Sequence, residues 1–191
     1  MNQPGKDTIP ATFQEMKKSL PFLLLIATGL IFIFYHYPKP VLHPDSVMYA
    51  SSGDGLKNYY TYAGHLRNNH AGVNFEGMNH PYGEHFMYTD SHPALVLLFK
   101  PLLKIFPGLS DYSIAILNWL MMASVLLTFI AVFFLLRDLG IRDWFALIFS
   151  VGISLLSPQI FRMGGHLALS YSVAIPFSWL LLIRSLKNPS R

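Results

Sequence analysis

Apolar residues gather along the chain in four long blocks. Residues 20–37, 112–136, 144–161 and 163–183 contain no charged side chain. A helix needs about 20 apolar residues to cross the hydrocarbon of a bilayer, so each block is long enough to span it. The pattern predicts transmembrane helices at 20–37, 112–136, 144–161 and 167–186. The first block is long for a secretory signal, and Phe34-Tyr35-His36-Tyr37 offers no small-residue cleavage site, so it reads as a retained anchor.

The pattern changes over residues 38–111. Pro38, Pro40 and Pro44 predict a rigid, extended exit from the membrane. A helix is expected from Asp54, because Leu56, Tyr59, Tyr60, Ala63 and Leu66 form an i, i+3, i+4 stripe. It should fade at Asn68, Asn69 and Gly72. The Gly-, Pro- and Asn-rich stretch 74–93, "NFEGMNHPYGEHFMYTDSHP", reads as loop and turn. The apolar stretch 93–106, "PALVLLFKPLLKIF", is too short to span and reads as an interfacial helix, with Pro101 inside it. Lys100 and Lys104 share one face of that helix, either near lipid phosphates or with their charged heads snorkelling to water. The fold class is therefore an all-α integral membrane protein with about four transmembrane helices and a large extracytoplasmic loop.

Composition agrees. The chain is 52% hydrophobic and 13% charged, against about 25% charged in soluble domains. The net charge of +4 comes from dispersed basic residues, which gives no support to nucleic acid as a partner. The absence of cysteine excludes disulfides, thiolate metal sites and cysteine nucleophiles. Lys6, Lys17 and Lys18 precede the first span, Arg137 and Arg142 follow the second, and Arg184, Lys187 and Arg191 close the chain. The positive-inside rule then makes 1–19, 137–143 and 187–191 cytoplasmic, with 38–111 and the turn 162–166 outside. Both termini lie inside.

The polar residues that carry chemistry fall on the outer face. Asp54, between two glycines in "SGDGLKNYY", is either a helix N-cap or a catalytic carboxylate. Asp45, Glu84 and Asp90 are competing acids. His80, His85, Asp90 and His92 lie close together in sequence, but their spacing matches no established ligand signature. No metal site is assigned, although a divalent cation stays open as a cofactor. Arg162 and His166, between the third and fourth spans, either bind an anion or reach lipid headgroups. One aqueous face is thus expected to gather Asp54, Lys57, Asn58, Asp90, His92, Arg162 and His166.

The order "GDGLKNYY", "NHPYGEHFMYTDSHP", "LVLLFKPLL" and "SPQIFRMGGHLALSYSVAIP" after a first span resembles the N-terminal region of bacterial GT-C-type polytopic membrane glycosyltransferases. The resemblance covers nearly all of the chain from Leu20 onward. It implies a transferase on the outer face of the bacterial cytoplasmic (inner) membrane, with a polyprenyl-phosphate-linked sugar as donor. By that resemblance Asp54 matches the general base, Asp90 and His92 a loop motif that shapes the acceptor site, and Arg162 and His166 a basic pair holding the donor phosphate. Such enzymes carry many more spans, so this chain is expected to be the N-terminal part of one, or a short relative working with a partner membrane protein. A second reading is a non-catalytic membrane subunit that binds a lipid-linked glycan or a partner membrane protein. A histidine-based metal transporter would need ionisable groups within the spans, which are nearly free of them.

Overall fold

The computed structural model describes residues 11–68, 73–89 and 92–187, with side chains from residue 19 onward. Among the described residues eight α-helices appear in chain order: α1 (Ala11–His36), α2 (Pro38–Leu42), α3 (Gly53–Asn68), α4 (Pro93–Ile105), α5 (Ser113–Asp138), α6 (Asp143–Leu155), α7 (Pro158–Arg162) and α8 (Ala174–Lys187). A two-stranded antiparallel hairpin, β1 (Asn74–Phe75) with β2 (Glu84–His85), lies between α3 and α4. Four segments are long and apolar enough to cross a membrane: Ser19–His36, Pro107–Asp138, Asp143–Arg162 and Leu167–Lys187. The protein is an all-α membrane protein.

α5 is the axis of the bundle and packs against α1, α6 and α8. Half of its span is buried inside the protein, against about a fifth for the other three. A helix that is apolar all round belongs in the interior, whereas α1, α6 and α8 keep apolar faces for lipid. α1 runs antiparallel to α5: Phe22 packs at a tilt against Phe133 and Phe134, and farther along Phe32 meets Phe129. Gly29 permits the approach, since a methyl group there would stand 2.7 Å from Leu126 Cδ1.

The basic clusters at the ends of α5 and α8 and the start of α6 collect at one end of the bundle, as the charge pattern anticipates. Arg137 pairs with Asp143 at 2.8 Å, Arg184 with Asp138 at 2.7 Å, and Lys187 donates to the Asp138 carbonyl. These pairs are partly exposed, so each contributes less than about 1 kcal/mol. Their role is to tie the ends of α5, α6 and α8 together.

The opposite end departs from the sequence pattern. α6 and α8 cover only 13 and 14 residues, about 20 Å of the roughly 30 Å hydrocarbon core. Between them lie α7, a turn over 163–165 and a 3-10 turn, Leu167–Leu169, so the connection is longer than the tight turn expected at 162–166 alone. Pro158 has no N–H to continue α6, and Ser157 before it is extended. Backbone groups at such depth must be paired within the protein. Here Gly165 N and His166 N both donate to the Arg162 carbonyl, and Ser170 N donates to that of Leu167.

The segment between the first two spans is anchored on α5 by Asn118, which is completely buried. Its Nδ2 donates to the carbonyls of Pro44 at 2.7 Å and Val47 at 2.6 Å, and its Oδ1 accepts from the Tyr59 hydroxyl at 2.5 Å. The exit at 38–42 is one helical turn, not extended chain, because Pro38 is at N1, where no N–H is needed. α4 runs through Pro101 with Leu97, Leu98 and Ile105 exposed along it. Partial burial lowers the Lys100 pKa from its ordinary value.

Replacing Asn118 by Leu leaves the Pro44 and Val47 carbonyls without their partner and the Tyr59 hydroxyl with only the bond it accepts from Tyr49 N. At about 1–3 kcal/mol for each buried group left unpaired, the outer segment should lose about 3 kcal/mol or more. Hydrogen exchange would rise across 44–62 while the amides of α6 and α8 stay protected. Unchanged exchange across 44–62 would refute this role.

Candidate functional site at the outer end

The site is built from the start of α3. Gly53 has φ 56°, a left-handed conformation that costs glycine little, and it turns the chain into the helix. Because α3 begins there, Asp54 lies inside the first turn and is not the N-cap expected from sequence. Its carboxylate is exposed, where the positive end of the helix favours it. Its backbone carbonyl accepts from Asn58 Nδ2 at 2.7 Å.

Gly55 is buried, and an added methyl group would collide with Ala50 Cβ and stand 3.5 Å from the Gly164 carbonyl oxygen. The first turn of α3 therefore rests against the turn between Arg162 and His166. This contact joins two parts of the chain that the sequence separates by more than a hundred positions. Arg162 is exposed at the end of α7, and His166 is half-buried just before the 3-10 turn.

The inward stripe of α3 keeps Tyr59 and Leu66 of the predicted set but differs elsewhere. Leu56 and Tyr60 are exposed, while Asn58, Thr61 and His65 are fully buried with Tyr59, Tyr62 and Leu66. Asn58 thus leaves the aqueous face assigned to it from sequence and becomes part of the core, whereas Lys57 beside it is half-buried. Polar side chains hold the inward positions because they meet polar groups and ring faces there: Thr61 donates to the Lys57 carbonyl at 2.8 Å, and the His65 ring stacks on Phe75. Hydrophobic periodicity does not see such a face.

His92 also lies inside, at the start of α4. Its ring stands edge-on between Tyr62 and Tyr171, with 5.8 Å between centroids in each case, and the Tyr171 hydroxyl is 3.5 Å from His92 Nδ1. Beside it a cleft of about 270 Å³ is lined by His92, Pro93, Ala94, Leu95, Ala168 and Tyr171. Segments 53–62, 92–95 and 164–171 therefore converge on one end of the molecule. Tyr171, Tyr62 and Gly55 belong to this convergence and carry no motif of their own.

Asp90 lies outside the described residues. The remaining histidines are dispersed: His85 Nδ1 accepts from Met87 N at 3.3 Å and caps a 3-10 turn, while His80 is exposed. Among the described residues no three His, Asp or Glu side chains are grouped closely enough to hold a metal ion. Burial pushes the Tyr59 and Tyr62 hydroxyls up to about 12, and Tyr49 is raised further by burial and by its tyrosine neighbours.

Residues 25–190 match the model of a family described as "Domain of unknown function (DUF6311)". No curated protein and no solved structure matches the chain.

Gly55→Ala should drive the start of α3 against Ala50 and cost about 2 kcal/mol, as overpacking typically does. Faster hydrogen exchange in the first turn of α3 would report it, and unaltered protection there would argue against the close packing of Gly55 on Ala50. The raised tyrosines predict a pH effect as well. An acid whose folded pKa exceeds its unfolded value of 10.0 stabilises the fold below pH 10, and that contribution disappears as pH rises to about 12. Denaturation midpoints in detergent should fall through this window, and less steeply for Tyr62→Phe. Identical slopes for the two proteins would exclude Tyr62 as a contributor.

Proposed function

The chain belongs to the DUF6311 family, and we propose that it is a glycosyltransferase, or the N-terminal part of one, working at the outer face of the bacterial cytoplasmic membrane. The donor in this reading is a polyprenyl-phosphate-linked sugar, and Asp54 is the general base. The observation that carries it is the contact of Gly55 with Gly164. It sets an exposed carboxylate on one side of a glycine junction and the Arg162–His166 turn on the other, at the end of the bundle away from the basic clusters.

In the reaction the Asp54 carboxylate takes the proton of an acceptor hydroxyl as its oxygen attacks the anomeric carbon. The bond from that carbon to the phosphate oxygen breaks, and the lipid phosphate leaves with the electron pair. The Arg162 guanidinium, already charged and placed before reaction, offsets the charge that develops on the phosphate. His166 and Lys57 are the other cations or donors near this junction. The cleft beside His92 is the acceptor side of the same site in this reading. The lipid tail explains why such chemistry belongs at a membrane surface, with membrane lipid as the constant neighbour of the site.

The test uses the purified full chain in lipid nanodiscs with a radiolabelled polyprenyl-phosphate sugar. Asp54→Asn should lower turnover by about 100-fold or more without loss of fold, since the side chain is exposed and makes no bond that a helix needs. Arg162→Ala should weaken donor binding. Full turnover in Asp54→Asn would remove Asp54 from the role of base. Equal donor binding without turnover in both proteins would favour the non-catalytic subunit, bound to a lipid-linked glycan or completed by a partner membrane protein.

A further inference from the structure

A second cavity, of about 390 Å³, lies deeper in the bundle between α5, the break from α6 to α7, and the start of α8. Val132 and Leu136 of α5, Ile153 and Leu156 near the end of α6, and Ile175 and Trp179 of α8 form its walls. No charged residue lines it. Its depth follows from helix geometry. Thr128 lies roughly ten residues before the end of α5 and Ser154 roughly eleven after the start of α6. At about 1.5 Å per residue both stand some 15 Å from the basic end, near the middle of the roughly 30 Å hydrocarbon core.

The polar side chains of this cavity are Thr128, Ser154, Ser157, Gln159 and Ser172, together with the indole of Trp179. Thr128 Oγ1 donates to the Ser124 carbonyl at 2.7 Å and lies 2.7 Å from Ser172 Oγ, which then donates to it. Ser157 Oγ bonds Gln159 Oε1 across the helix break. Ser154 differs. Its side chain is 1% exposed, it lines the cavity, and its Oγ has no hydrogen-bond partner. One turn earlier, Ser150 Oγ donates back into its own helix, to the Leu147 carbonyl at 2.9 Å. A hydroxyl left unpaired in apolar surroundings is costly, and a ligand that pairs with it recovers that cost.

We propose that this cavity binds a hydrocarbon chain bearing an uncharged hydroxyl group, with the hydroxyl paired to Ser154 Oγ. At this depth only molecules dissolved in the bilayer reach the opening, where Leu156 is 83% exposed on the rim. An anionic head is rejected, because nothing in the lining offsets a buried charge. A plain alkane fills the walls and leaves Ser154 unpaired. The site is separate from the junction of Asp54 with the 162–166 turn, and the inference stands whether or not the protein transfers sugars.

The experiment is photocapture by the full chain in nanodiscs, using a long-chain primary alcohol with a mid-chain diazirine. The alkane and carboxylate of the same chain serve as the other arms. The alcohol should label residues 153–159 or 175–179, several-fold more than either analogue. Ser154→Ala should reduce capture about five-fold, the effect of one net hydrogen bond. Leu156→Trp, at an exposed rim position that folding tolerates, should block the opening and abolish capture. Equal capture of all three chains, capture unchanged by Leu156→Trp, or labelling spread evenly along the lipid face of α1 would each overturn the assignment.

Discussion

The carboxamide of Asn118 holds the outer segment to the transmembrane bundle. It is fully buried near the start of α5 and uses both of its Nδ2 protons and its Oδ1 on main-chain carbonyls of the exit loop and on Tyr59 of α3. An amide in an otherwise apolar span is stable only when its hydrogen bonds are met internally, and here they are met by a segment far away in sequence. That requirement fixes how α3 sits on α5. The positions of Asp54, Gly55 and Tyr62 follow from it, and so does the junction with the turn at 162–166.

The same logic explains why α3 buries polar side chains. Asn58, Thr61 and His65 occupy the inward stripe because the surroundings offer helix carbonyls and ring faces, as with the Phe75 and Phe86 rings around His65. Glycine completes the arrangement where the first turn of α3 comes near the Gly164 carbonyl, because a side chain at Gly55 would run into Ala50. The chemistry available to the outer end therefore rests on packing more than on any single motif.

The broken third and fourth spans have a different consequence. Proline after Ser157 stops α6 short, and the chain returns through a short helix and a 3-10 turn before α8 begins. This frees backbone groups that must be paired locally, and it leaves room between α5, α6 and α8. The hydroxyls of Thr128, Ser154 and Ser172 gather around that room. A continuous pair of helices would have closed it.

The sequence by itself determined the number of spans, the grouping of basic residues at one end, and the presence of an α3 helix after Gly53. These properties are local: hydropathy over about 20 residues and the conformational preferences of glycine and proline need no distant partner. It also singled out Asp54, Arg162 and His166, which the fold sets at the end of the bundle away from the basic clusters. Tertiary structure alone decided that Asn58 and His92 turn inward, that Gly55 meets Gly164, and that α6 and α8 stop short of full spans. Burial of a polar residue depends on whether remote groups satisfy its hydrogen bonds, and residue type carries no record of that partner. For this reason Asn118, which governs the arrangement, was invisible as a node until its three partners were in place.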